Sequence, residues 1–159
     1  MSEIRHALYR GDRAAVETLI ARGHEVNGFD AAALGDLERI REHLAADPSL
    51  VDAWSADGFT ALHFAAYLGG ADSVRALLAA GAECSAVARN DMRVQPLHSA
   101  AASGDVDACR ALLEAGADPN AEQHGGFRPL DEALITENAP LAALLRERGA
   151  EVSGNPLPG

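Results

Sequence analysis

Apolar residues recur along the chain at the spacing that places them on one helix face. Five triplets carry side chains at positions i, i+3 and i+4, and this spacing predicts five amphipathic helices. An alanine-rich segment precedes most of them, and residues 62–68 are typical of a two-turn helix. The triplets are Val16, Leu19 and Ile20; Ile40, His43 and Leu44; Val74, Leu77 and Leu78; Cys109, Leu112 and Leu113; and Leu141, Leu144 and Leu145. The chain is therefore predicted to form five helix-turn-helix units.

These units are internal repeats with a nearly constant period. The segment Thr60-Ala61-Leu62-His63 recurs as Gln95-Pro96-Leu97-His98 and as Arg128-Pro129-Leu130-Asp131, after 35 and then 33 residues. The last three units also end alike, with Gly-Ala followed by an acidic residue. Repeats of this period predict a stack in which each unit buries its apolar face against its neighbours.

The turn between the two helices of a unit contains glycine and aspartate. Glycine adopts the left-handed conformation that ends a helix, and the aspartate after it caps the next one. The predicted helix caps are Asp12, Asp36, Asp72 and Asp105.

Two of the units carry motifs of a known family. Thr60-Ala61-Leu62-His63-Phe64-Ala65-Ala66 resembles the opening signature of ankyrin repeats, and residues 112–121 resemble the family's second helix and loop entry. The chain is thus similar to ankyrin repeat proteins, of the bacterial type, over about residues 3–152. The resemblance implies an all-α ankyrin-repeat solenoid of about five units, joined by loops that resemble short β-hairpins. It also implies a structural role for His63 and His98, which hold the helix start and the adjacent loop.

The predicted domain covers residues 1–152, with units at about 1–27, 28–54, 55–88, 89–123 and 124–152. The first two units lack the opening signature, and the last has Asp131 in place of the histidine. The loop from Ala88 to Val94 is two residues longer than its neighbours. Residues 153–159 are predicted to be a flexible C-terminal tail.

Charge and composition restrict the partners. The chain has 13 basic residues, all of them Arg, against 24 acidic ones, which gives a formal net charge of −11. Such a surface repels phosphate, so we expect neither nucleic-acid nor membrane binding, whereas a basic protein partner is compatible. Two cysteines make no disulfide scaffold, and no signal peptide is recognised, so we expect a cytoplasmic monomer.

No catalytic residue, metal site or cofactor is predicted. The six histidines never form the i, i+4 pair with an intervening glutamate that a zinc-hydrolase helix requires. His43 occupies the middle position of its triplet, where the other four triplets have leucine, and we interpret it as a hydrogen-bonded, half-buried core residue. Cys84 and Cys109 align with apolar positions and are interpreted as core residues without a base to activate them.

The resemblance implies a concave binding surface made of the loop tips and the short helices. The predicted partner-binding residues are Trp54, Asp57, Phe59, Tyr67, Leu68, Arg89, Asn90, Asp91, Met92, Val94, Ser103, His124 and Phe127, with Ala102 beside Ser103. Two interpretations of Trp54, Phe59 and Tyr67 remain open, because these rings either contact a partner or pack between loops.

The predicted function is a non-catalytic protein-protein interaction module that binds its partner through this face. A regulatory or inhibitory subunit of an enzyme complex is an alternative, and a metal-binding or small-ligand-binding protein is a further one.

Overall fold

The computed structural model describes residues 1–156, and within them the fold is five consecutive helix pairs with no strand. The pairs are α1 (Glu3–Tyr9) and α2 (Arg13–Ala21); α3 (Gly28–Leu34) and α4 (Leu37–Ala46); α5 (Ala61–Phe64) and α6 (Ala71–Ala79); α7 (Pro96–Ser103) and α8 (Val106–Glu114); and α9 (Pro129–Ile135) and α10 (Ala139–Glu147). Short 3₁₀ turns lie at Pro48–Val51 and His124–Gly126. The predicted all-α solenoid of about five units is confirmed.

The loops between units are narrow turns closed by backbone hydrogen bonds. The Ser55 N–H donates to the Phe59 carbonyl at 2.8 Å, and the Ala88 N–H donates to Val94 at 2.8 Å. In residues 1–156 a single isolated antiparallel bridge, between Trp54 and Thr60, completes this pattern. The loops thus resemble hairpins without forming strands.

The core follows the predicted helix faces but is divided into two clusters. From the second unit to the fifth, residues such as Ile40, Leu77, Leu112 and Leu145 are fully buried in one continuous cluster. The first unit has its own small cluster, of Ile4, Ala7 and Val16. Leu8 and Val26, both partly buried, pack against both clusters and connect them.

Glycine permits an unusually close approach between the second and third units. After α5 the chain continues as a π-helical turn, Ala65–Gly69, which leads into α6. A Cβ atom on Gly69 would lie 2.0 Å from the carbonyl oxygen of Ala32, so only glycine fits there without a shift of the backbone. The predicted cap at Asp72 is wrong, because α6 begins at Ala71 after Gly70 and Asp72 pairs instead with Arg75.

The other predicted caps are confirmed. The side chains of Asp12, Asp36 and Asp105 accept hydrogen bonds from the backbone N–H groups of Ala15, Arg39 and Ala108. Each bond satisfies a donor that the first turn of a helix leaves without a partner, and this restricts where the second helix of the unit begins.

The C-terminal segment departs from the predicted flexible tail where the structure describes it. Ser153 is buried, and its backbone N–H donates to Asp131 Oδ1 at 2.9 Å. The Asn155 amide donates to the Gly125 carbonyl at 2.7 Å. These bonds attach residues 153–155 to the fifth unit, because Asp131 offers an acceptor that a histidine at this repeat position would not. The remainder of the predicted tail, 157–159, lies outside the described residues.

Replacing Glu137 by glycine is expected to stabilise the protein by about 0.5–1 kcal/mol. Glu137 has a φ of 53°, at the turn position where Gly11, Gly35 and Gly104 stand in other units. A left-handed conformation costs a non-glycine residue about 1–2 kcal/mol, and glycine's greater chain entropy offsets part of the gain. Urea unfolding would measure the difference. The reciprocal change, Gly11→Glu, should destabilise, and equal stability of Glu137→Gly and the wild type would contradict the expectation.

Candidate functional site

Three loops are joined side by side along one edge of the stack. Asn90 Nδ2 donates to the Asp57 carbonyl at 2.9 Å, and the Arg89 N–H donates to the Gly58 carbonyl at 2.8 Å. The His124 N–H donates to the Met92 carbonyl at 2.9 Å. The longer loop of residues 88–94, called the fourth loop because it leads into the fourth unit, is therefore hydrogen-bonded to the loops on both sides of it.

Trp54 packs between loops. Its ring is half-buried, and the guanidinium carbon of Arg89 lies 4.2 Å from the ring centroid, in a cation–π contact across the two loops. Arg89, which is itself exposed, therefore covers part of the Trp54 ring. For Trp54 the structure favours packing over an open contact surface.

Phe59 and Tyr67 instead line a cavity of about 510 Å³ between the loops and the short helices. The size lies within the ~300–1,000 Å³ range of ordinary ligand pockets. Its lining is mostly apolar and comes from four of the five units: Met1, His6 and Tyr9; Phe59, His63, Phe64 and Tyr67; Met92, Val94, His98, Ser99, Ala102 and Gln123; and Arg128 and Glu132.

The first unit forms one wall of this cavity. The ring centroids of Tyr9 and Tyr67 are 5.7 Å apart, so α1 reaches past the second unit to the third. No residue of α3 is among those that line the cavity. This wall was not predicted from the sequence, although the short step between the first and second units, 24 residues from Gly11 to Gly35, is a signal that they stack irregularly.

The cavity lining follows a simple register that could have been read from the aligned repeats. In the first, third and fourth units, the residues one and four places after the third helical position face the cavity: His6 and Tyr9 after Arg5, Phe64 and Tyr67 after His63, and Ser99 and Ala102 after His98. Glu132, which follows Asp131, continues the same row. Of this row, His6, Tyr9, Phe64, Ser99 and Glu132 were not predicted as binding residues.

The remaining predicted residues lie around this cavity in different ways. Met92 is 56% exposed on its rim, whereas Val94 is buried and reaches it only from below. Ser103 donates to the Ala66 carbonyl, which ties α7 to the π turn. Asp91 and His124 are exposed on the loops, and Asp57, Leu68 and Phe127 are half-buried; none of these five lines the cavity.

Two histidines hold the floor of the cavity. Nδ1 of His63 accepts from the Thr60 N–H at 3.2 Å, and Nε2 lies 3.1 Å from the Val94 carbonyl. His98 repeats the arrangement with Gln95 and Ala121. Burial lowers the pKa of His63 to about 4 and also lowers the pKa of His98, so both rings are neutral near pH 7. Each ring connects the start of its own helix to a carbonyl of the next loop by hydrogen bonds.

Acidification is expected to destabilise the protein through these rings. The unfolded chain binds a proton at each histidine below about pH 6.5, whereas folded His63 binds one only near pH 4. The stabilisation is therefore complete above pH 6.5 and is lost as the pH falls towards 4. For His63 the loss between pH 7 and pH 5 is about 2 kcal/mol. Urea unfolding at both pH values should show a smaller change in His63→Gln, and an equal change would contradict this.

The same repeat position carries charge in the other units. Asp30 occupies it in the second unit and Arg5 in the first, and Arg5 Nε lies 3.0 Å from Asp30 Oδ1. Asp30 is fully buried, and Arg5 is 5% exposed. The guanidinium carbon of Arg5 also lies 4.6 Å from the Phe64 ring centroid. A buried ion pair thus joins the first unit to the second at the position where the third and fourth units have histidine.

Residues 1–156 contain no cluster of side chains suited to hold a metal ion, since no group of three His, Cys, Asp or Glu side chains in this part of the chain is placed to do so. His43 is half-buried with Nε2 2.8 Å from the Val26 carbonyl, as its interpretation as a core residue requires. Burial raises the pKa of the Cys109 thiol to about 12, which opposes formation of a nucleophilic thiolate. No helix in residues 1–156 has the length and apolar character needed to cross a membrane.

Five stacked helix pairs with a concave, loop-edged cavity define a helical repeat protein. The family is shown by comparison with known sequences, since a family model for ankyrin repeats, in three copies, matches residues 4–123. The chain belongs to the ankyrin repeat family. No curated protein matches it significantly.

Proposed function

We propose that this chain is a non-catalytic module that binds a partner protein in its concave cavity. Ankyrin repeats are generally protein-protein interaction modules. The observation that carries the proposal here is the preformed, mostly apolar cavity, whose walls come from four separate units. Large exposed apolar side chains, Tyr67 and Met92, stand on its edge, and such groups are typical of interface contacts.

Rigidity is the mechanism that we propose for this binding. The loops that edge the cavity are fastened to one another by backbone and amide hydrogen bonds, from Asp57 through Asn90 to His124. A surface that is already ordered loses little conformational entropy on association, so more of the contact energy appears as affinity. Two free thiols, at Cys84 and Cys109, are compatible with a reducing compartment, and we propose that the module acts in the cytoplasm.

Capture of a partner from the source cell's lysate tests this proposal. Ala102 is exposed on α7 and lines the cavity, so Ala102→Trp should fill the cavity without disturbing the core. Ala143, exposed on α10 and absent from the lining, provides the matched control Ala143→Trp. We expect one protein to be retained by the wild type and by Ala143→Trp but lost with Ala102→Trp, with all three equally stable in urea. Equal capture by all three would contradict the assignment of the cavity.

A further inference from the structure

Resting on that proposed function, we propose that the cavity accepts a short segment of the partner that combines an apolar side chain with a basic one. The apolar side chain, aromatic or long and aliphatic, occupies the floor between the third and fourth units. The basic side chain, of Arg or Lys, pairs with Glu132 at the end formed by the fifth unit. The apolar surface and the carboxylate are separate observations, and each restricts the occupant.

The apolar half of the cavity suits a large side chain. Phe59 and Phe64 meet edge to face with ring centroids 5.7 Å apart, and Tyr67 continues this surface towards Tyr9. Met92 stands over it from the fourth loop and is 56% exposed. Methionine adapts its shape to an inserted group, and the aromatic faces supply contact area.

The charged groups in the lining leave one carboxylate without a basic partner. Arg128 Nη2 lies 3.0 Å from Glu122 Oε1, and its Nη1 lies 3.9 Å from Glu151, so its charge is matched by acidic groups outside the lining. His63 and His98 are buried and hydrogen-bonded to carbonyls. In residues 1–156 no ion pair or side-chain hydrogen bond joins Glu132 to a basic group. A net charge of −11 adds a field of the same sign.

The position of Glu132 gives the occupant a direction. Glu132 follows Asp131 as Phe64 follows His63, so it lies in the row of cavity-facing residues but two units further along the stack. Tyr9 closes the opposite end against Tyr67. The segment therefore lies along the row, with its apolar side chain towards Tyr67 and its basic side chain towards α9.

A random dodecapeptide library displayed on phage tests the proposal with a defined probe. The full-length wild type would be panned in parallel with Glu132→Gln and with Glu17→Gln, a change of an exposed carboxylate on the outer helix α2. We expect the wild type and Glu17→Gln to enrich peptides with Arg or Lys within a few residues of an aromatic or long aliphatic residue. Synthetic copies of these peptides should bind Glu132→Gln about five-fold more weakly at low salt, and the difference should shrink as salt is added.

The other outcomes overturn the proposal in recognisable ways. Enriched peptides that are neutral or acidic, or an affinity that Glu132→Gln leaves unchanged, would show that no basic group is selected. If the Ala102→Trp variant nevertheless fails to bind these peptides, the cavity binds polypeptide, and the proposed function stands without this inference. A panning that enriches no peptide would overturn the short segment as the occupant. Capture of a folded partner would then decide the proposed function separately.

Discussion

Replacing Asp30 by alanine is expected to lower the free energy of unfolding by about 3–5 kcal/mol, the largest single effect that the structure predicts. The Asp30 carboxylate is fully buried, forms an ion pair with Arg5 Nε at 3.0 Å, and accepts hydrogen bonds from the Asn27 N–H at 3.3 Å and from the Ser2 hydroxyl. Its removal leaves the Arg5 guanidinium buried against the Phe64 ring without a close carboxylate, and the nearest other one, Asp57, is 4.0 Å away.

The change should act first on the first unit. That unit has its own small apolar cluster and is joined to the stack by the Arg5–Asp30 pair and by only a few partly buried apolar residues, so α1 should lose hydrogen-exchange protection before the later helices do. Urea unfolding gives the total effect. Asp36→Ala, which removes an ordinary helix cap, is the control and should cost about 1 kcal/mol. The paired change Arg5→Met with Asp30→Leu should recover much of the loss. A cost below that of Asp36→Ala would contradict the role assigned to the ion pair.

Replacing Gly69 by alanine is expected to cost about 3 kcal/mol, although alanine ordinarily favours a helix over glycine. The added Cβ would lie 2.0 Å from the Ala32 carbonyl oxygen. Because this oxygen belongs to the backbone, it cannot move away by a change of side-chain rotamer. The second and third units would have to separate, and the π turn that carries Tyr67 would move with them. A loss of partner binding should therefore accompany the loss of stability.

Gly154→Ala is the matched control for this change, because no atom lies within 4 Å of the Cβ that it would add. Thermal unfolding followed by circular dichroism measures both variants. We expect a lower midpoint for Gly69→Ala and an unchanged one for Gly154→Ala. A Gly69→Ala midpoint equal to that of the wild type would show that the close approach of the two units is not required.

The fold could be predicted from sequence because its determinants are local and repeated. The apolar triplets specify the second helices, and Asp12, Asp36 and Asp105 specify where three of them begin. The missing cap in the third unit could have been read from the aligned repeats, because Gly70 stands where Asp36 and Asp105 follow their turn glycines, and Asp72 comes two residues later. In contrast, the partnership of Arg5 with Asp30 links two units whose residues show no common signature.

Only part of the candidate site could be predicted, because some of its contacts join separate loops and units. Phe59, Tyr67 and Met92 were recognised as large apolar groups in variable positions, and the structure places all three around the cavity. Trp54 and Arg89 had the same appearance but contact each other across two loops, which composition alone does not reveal. The wall formed by Tyr9 depends on how the first unit stacks on the others, which brings Tyr9 against Tyr67 of the third unit. The repeat pattern does not specify this stacking.

Site-specific photo-crosslinking in the source cell tests most directly whether a partner protein occupies the cavity. A benzophenone amino acid at Tyr67, on the cavity edge, would be compared with the same group at Ala143, on the outer surface of α10. The account predicts one dominant protein adduct from position 67 that is absent from position 143 and abolished by Ala102→Trp. Adducts from position 143 alone, or a position-67 adduct that survives Ala102→Trp, would contradict binding in the cavity.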